Sequence, residues 1–156
     1  MRKACVFLAA ISAALALGVQ AAQPAVVINE SFPVAIAVFV PCAADGAGET
    51  VVLEGNLHGL ITITANKNHL SIKTHFQPQG LSGTGLTTGD KYQGTGVTQD
   101  HFTTGIGATT FTFVNNFRII GQGPGNNFLV HQNIHVTMNA NGEVTATVDN
   151  FSVECK

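Results

Sequence analysis

Six histidines stand in a chain of which only 10% is formally charged, and imidazole is the commonest protein ligand for zinc. His131 and His135 share a strand face, but four residues along a strand span about 13 Å, too far for one metal ion. His58 and His75 are expected to be cross-strand neighbours with Cβ atoms about 5 Å apart, close enough to chelate. Glu54 shares their face but lies four residues from His58, and no His-x-His pair occurs. All these imidazoles fall on the wet faces of their strands, so the reading is surface histidines, with no metal and no cofactor.

Other chemistry is sparse. No Gly-x-Ser-x-Gly elbow presents a nucleophilic serine, and the nine acidic residues are scattered rather than paired for acid–base work. The glycines of Leu81–Gly89 precede neither a Lys-Ser/Thr pair nor a helix, so they do not cradle a phosphate. The polar groups that stand out are three amides, Asn115, Gln132 and Asn150, which the strand registers below place in a row on an otherwise apolar face. Buried amides need partners. These bond either to one another in a closed core or to a ligand that they orient in a cavity.

The elements that carry these residues are strands. Short alternating segments recur between Gly, Asn and Pro, and no helical period runs through the chain after its first residues. Strands are expected near 25–30, 34–42, 50–64, 69–77, 91–103, 109–121, 127–139 and 143–155. Across Ala65–Asn68, Ile63 is matched to Leu70 and Ile61 to Ile72, which sets His58 against His75. Across Gln122–Gly125, Phe117 is matched to Val130, which sets Asn115 beside Gln132. The loop Ala140-Asn141-Gly142, with Gly142 left-handed in a bulge, pairs Met138 with Val144 and Ile134 with Val148, and so brings Gln132 beside Asn150. The glycine-rich stretch 79–96 reads either as a long loop or as a strand bent sharply at its glycines.

Residues 1–21 have the order of a secretory signal peptide: Arg2-Lys3, an apolar run from Ala4 to Val19, and small residues around Ala21. Cleavage near Ala21 would leave one domain, 22–156, secreted or periplasmic. That part holds five basic and nine acidic residues and no basic stripe, which argues against nucleic acid, and no later segment is apolar enough to span a membrane. It keeps two cysteines, Cys42 and Cys155, and an oxidising compartment makes them a disulfide.

Phe39-Val40-Pro41-Cys42, Gly85-Leu86-Thr87-Thr88-Gly89-Asp90-Lys91-Tyr92, Gly121-Gln122-Gly123 with Asn127-Phe128, and Asn139-Ala140-Asn141-Gly142-Glu143-Val144-Thr145-Ala146 through Val148-Asp149-Asn150-Phe151 to Glu154-Cys155 resemble a group of small exported bacterial all-β proteins with no assigned activity. The resemblance spans nearly all of 22–156 and implies no active site. More loosely, the strand count is similar to lipocalin-like and allene-oxide-cyclase-like barrels, although the chain has no Trp for a lipocalin Gly-x-Trp signature.

The sequence therefore predicts an all-β fold, a single antiparallel barrel of about eight strands, with a β-sandwich as the alternative. The function it points to is an exported, non-catalytic barrel that binds a small apolar ligand. The competing readings are a cyclase- or isomerase-type enzyme acting through cavity shape and amide dipoles, and a structural or adhesive envelope protein. Oligomeric state is not readable from the residues.

Overall fold

A computed structural model describes residues 23–122 and 126–156; the signal-peptide expectation for 1–21 lies outside them. The described residues form one antiparallel meander of seven strands in sequence order: β1 (Val26–Val40), β2 (Glu49–Asn66), β3 (His69–Gly85), β4 (Lys91–Gly105), β5 (Ala108–Gly121), β6 (Asn127–Asn139) and β7 (Val144–Cys155). A single 3-10 turn, Ala44–Gly46, links β1 to β2.

This corrects the expectation of a closed eight-stranded barrel, and also the sandwich, since there is one sheet. The two segments expected at 25–30 and 34–42 are a single strand that runs through Pro33, which pairs with Asn56. Proline removes a ladder donor, so it is tolerated in an edge strand, where one side of the backbone has no partner. Losing a strand from the count has a topological consequence. In a meander of seven, β1 and β7 run in the same direction, so they cannot close the ring with the antiparallel ladder used everywhere else.

The edges nevertheless meet at one end. Cys42, just after β1, is bonded to Cys155 at the end of β7, with a Cα–Cα separation of 5.8 Å. The sheet is thus curled, tied at this end and unpaired between β1 and β7 elsewhere. The core lies at the tied end, where Val40, Val51, Leu53, Leu81, Tyr92, Ile119 and Phe128 are buried. Fully burying each large apolar side chain contributes about 1.5–3 kcal/mol.

Glycine makes the curl possible. The β2–β3 register shifts between Glu54 and Asn56 and the β3–β4 register between Phe76 and Ser82, at the level of Gly55 and Gly80, both with positive φ. Gly96 has φ +117°, and a Cβ there would strike the Asn116 carbonyl oxygen of the neighbouring strand. The stretch 79–96 is therefore bent strand on both sides of the short connection 86–90, rather than a long loop.

Three registers were predicted, with three different outcomes. Between β5 and β6 the pairs are as expected: Phe117 with Val130, Asn115 with Gln132 and Phe113 with Ile134. Between β2 and β3 the pairing is slipped by two residues, Ile63 with Ile72 and Ile61 with Thr74, so His58 faces Gln77 and His75 faces Leu60. The turn is shorter than expected, only Lys67-Asn68, and the Asn66 side-chain oxygen accepts the Asn68 N–H at 3.0 Å. A slip of two keeps every side chain on its face, so alternation alone does not distinguish the two pairings.

Between β6 and β7, Met138 pairs with Val144 as expected and Gly142 is left-handed at φ +81°. The next pair is Thr137 with Ala146, so Thr145 is an extra residue in β7. Beyond that bulge the faces are exchanged: Phe151, Val153 and Cys155 join the side of Gln132, Val130 and Phe128, and Ala146 and Val148 turn outward.

Candidate functional site

Residues directly opposite on paired strands share a face, so the registers sort the whole sheet into a concave and a convex side. The concave side holds the core at the tied end, and above it an unfilled apolar trough of about 390 Å³. Its walls are Val34, Ile36 and Val38 from β1, Leu57 from β2, Phe76 from β3 and Phe117 from β5. The curl sets β1 and β5 around this one cavity, and Val34, Ile36 and Val38 pack against the buried cluster together with Phe117 and Val130. Phe32 and Phe76 meet edge to face with ring centroids 6.4 Å apart, and the absence of a side chain at Gly59 leaves room for both rings.

One polar pair faces the trough. Thr98 on β4 donates its hydroxyl to the Asn115 side-chain oxygen at 2.9 Å, and Gln132 is the next residue across the sheet from Asn115. Two of the three predicted amides are thus neighbours on the concave side. The third is not. Asn150 pairs with Asn133 on the convex side, while Phe151 takes the place opposite Gln132. The bulge at Thr145 is the physical reason, and it replaces the expected row of Asn115, Gln132 and Asn150 by a row of Thr98, Asn115 and Gln132.

Asn150 instead lines a depression of about 530 Å³ with Val114, Asn116, His131, Asn133 and Ser152, which Gln132, Asp149 and Phe151 also border, so Gln132 and Asn150 share this depression without being paired across the strands. Most of these groups are amides, hydroxyls or imidazole that water can satisfy, and β7 is exposed along its whole length. The trough has the opposite character: most of its wall is hydrocarbon, which water does not satisfy. It is the better-formed binding site, although it has the smaller volume.

All six imidazoles are on the convex side, each at a position whose cross-strand partner faces outward. His58 Nε2 lies 2.6 Å from the Asn29 side-chain oxygen, His75 Nδ1 lies 3.0 Å from the Gln99 amide, and His131 Nδ1 lies 2.6 Å from the Asn116 oxygen. His101 Nε2 is 3.0 Å from both Ser71 Oγ and Thr103 Oγ1, and His135 is bonded to Thr112 and Thr137. Among the described residues, no three His, Cys, Asp or Glu side chains are grouped to hold a metal ion, and no helix is long and apolar enough to cross a membrane.

Sequence reasoning missed the most elaborate polar cluster in the fold. Glu49, 2% exposed, opens β2 at the tied end. One of its carboxylate oxygens accepts the backbone N–H groups of Thr87 and Thr88 at 3.1 and 3.0 Å. The other accepts the Thr88 and Tyr92 hydroxyls, both at 2.8 Å. Burial pushes the Glu49 pKa up, but these four donors outweigh it and hold the carboxyl below its ordinary value. Burial, the hydrogen bond to Glu49 and the nearby negative charges of Glu49 and Asp90 raise the Tyr92 phenol well above the usual range. Gly85 belongs to the same cluster, since a Cβ there would fall on the carboxylate. A signal existed: Glu49 keeps the period of Val51 and Leu53, so its side chain had to enter the core.

Compared with protein-family models, with curated proteins and with solved structures, the chain matches none. Its function must be argued from this geometry alone. The Glu49 cluster is sealed and has the character of a structural anchor, whereas the trough is open to solvent and unfilled.

Proposed function

We propose that the chain is an exported, non-catalytic binding protein whose concave trough holds a small ligand with an apolar body. The observation that carries this reading is the contrast along one face. The tied end is filled by side chains, while a few residues further up the same strands leave about 390 Å³ of apolar space empty. A sheet evolved only as a scaffold gains from covering such a surface, because apolar area left open to water forgoes about 25 cal/mol per Å² of burial, and an exposed apolar patch marks a site of interaction. The Thr98–Asn115 pair provides an orienting hydrogen-bond group at the wall, the usual complement of an apolar pocket. The disulfide supports an oxidising, extracytoplasmic setting.

The test is titration with the neutral fluorophore N-phenyl-naphthylamine. The wild-type protein is expected to give saturable enhancement at one site. Ile36→Trp, which places a larger side chain in the trough, should weaken that binding at least about tenfold, the equivalent of about 1.4 kcal/mol. The chain has no other Trp, so the introduced indole also reports by energy transfer whether the probe still sits beside it. Equal affinity in the variant, with the protein folded, would place the probe elsewhere and remove the trough as the binding site.

A further inference from the structure

The two faces of the sheet carry opposite charge. Every Lys and Arg borne by a strand, Lys73, Lys91 and Arg118, occupies a convex position, as do all six histidines. The strand-borne charges of the concave side are carboxylates: Glu30 opposite Gly59, Asp100 opposite Thr74 and Phe113, Asp149 opposite Ile134, and the sealed Glu49. Only Glu54 and Glu154 put negative charge on the convex side of a strand. A chain with so few charges has sorted them by face.

Asp100 is the carboxylate placed to act on the trough. It lies two residues along β4 from Thr98, about 7 Å beyond the last polar group of the trough wall on the same face, and it also borders a depression lined by Lys73, His75, Gln99 and His101. It is half-buried, and the Thr74 hydroxyl donates to its Oδ2. Among the described residues the only ion pair is Lys156–Glu154 at 3.0 Å, so Asp100 makes no direct ion pair, although Lys73 lines the same depression. Phe113 is directly opposite it on β5, and Phe102 and Phe111 are the next pair on the same face, so aromatic rings border the carboxylate on the side away from the trough. A half-desolvated carboxylate beside aromatic faces is complementary to an organic cation, which gains both the ion pair and cation–π attraction.

Resting on the trough reading above, we propose that the ligand is a cationic amphiphile: an alkyl or aryl body among Val34, Ile36, Leu57, Phe76 and Phe117, and an ammonium-class group at Asp100 against Phe113. An anionic amphiphile of the same length would bring its head group to a face that holds only negative strand charges. A neutral one would gain the apolar burial without the ion pair.

The experiment is calorimetric titration of the purified disulfide-bonded protein, at low ionic strength, with decyltrimethylammonium, decanol and decanoate. The ammonium is expected to bind at least about tenfold tighter than decanol, with decanoate weakest. In Asp100→Asn, which keeps the shape and the Thr74 hydrogen bond, the ammonium should fall to within about threefold of decanol. Decanol should bind the variant as it binds the wild type, which shows that the trough is intact. Equal binding of ammonium and decanol in the wild type, or a preference that survives in Asp100→Asn, would overturn the charge assignment and leave the trough standing. Binding of none of the three would overturn the trough reading and this inference with it.

Discussion

Removing the Cys42–Cys155 bond, by Cys42→Ser with Cys155→Ser, is expected to lower stability by about 4–5 kcal/mol. The bond joins residues 113 apart in sequence, and the entropy recovered by the unfolded chain grows with the loop it closes. In a domain of this size that is a drop of roughly 15 °C in melting temperature. The native state is affected as well. β1 and β7 share no ladder, so the disulfide is the covalent tie between the two edges of the sheet. Val34, Ile36 and Val38 form one wall of the trough, on the strand that this tie holds in place. The double variant should therefore lose N-phenyl-naphthylamine binding under conditions where it is still folded, and its β1 amides should exchange faster than those of β4 and β5. Guanidinium unfolding, probe titration and hydrogen exchange check these points in turn. A stability loss under about 1 kcal/mol would mean that side-chain packing at the tied end, not the bond, holds the edges together.

The same bond shows where reading the residues succeeded and where it failed. Strand identity was readable because alternation of apolar and polar residues is local, and the Phe117–Val130 register was readable because long aromatic and β-branched runs on both strands leave one good match. The Ile63–Ile72 register was not, because a slip of two residues exchanges one apolar pair for another and only the length of the turn decides it. The face of β7 was readable in principle. Val144 to Val148 and Phe151 to Cys155 are apolar in opposite phase, which requires one extra residue somewhere in the strand. If Cys155 must reach Cys42 across the concave side, the extra residue must lie before Val153, and its place at Thr145 is what turns Asn150 outward. The strand count failed for a different reason: the expected strands 25–30 and 34–42 join through Pro33, which an edge strand accommodates. The trough was unreadable because it is made by the curl, which sets β1 and β5 around one cavity, and no pairwise register between sequence neighbours contains that arrangement.

Glu49→Gln is the second large effect expected. The carboxylate accepts four hydrogen bonds, and among the described residues it has no ion-pair partner, so its negative charge is held by donors alone. The amide keeps one acceptor oxygen but turns an NH2 group toward donors, so at least one of these N–H or O–H groups loses its acceptor, the Tyr92 hydroxyl being the buried one. Hydrogen bonds to a charged group contribute about 1.5–3 kcal/mol each, and stranding a buried donor costs about 1–3 kcal/mol, so a loss of about 2–4 kcal/mol is expected. Tyr92→Phe removes one donor and leaves three, so its loss should be smaller, about 1–2 kcal/mol.

The pH dependence separates this charge-based account from one of packing. The folded pKa of Glu49 is depressed, so the native state holds its carboxylate more strongly than the unfolded chain does. The stability it contributes is fully present above the ordinary value of 4.5 and is lost as pH falls through the lower folded pKa. The deficit of Glu49→Gln relative to wild type should accordingly be largest near neutral pH and shrink below 4.5 as the wild-type carboxyl takes up its proton. Urea unfolding of both proteins across that range measures the difference directly. A deficit that stays constant from neutral pH down through the acid limb would show that the ionised carboxylate is not what anchors Thr87, Thr88 and Tyr92, and that the side chain acts at the tied end by shape alone.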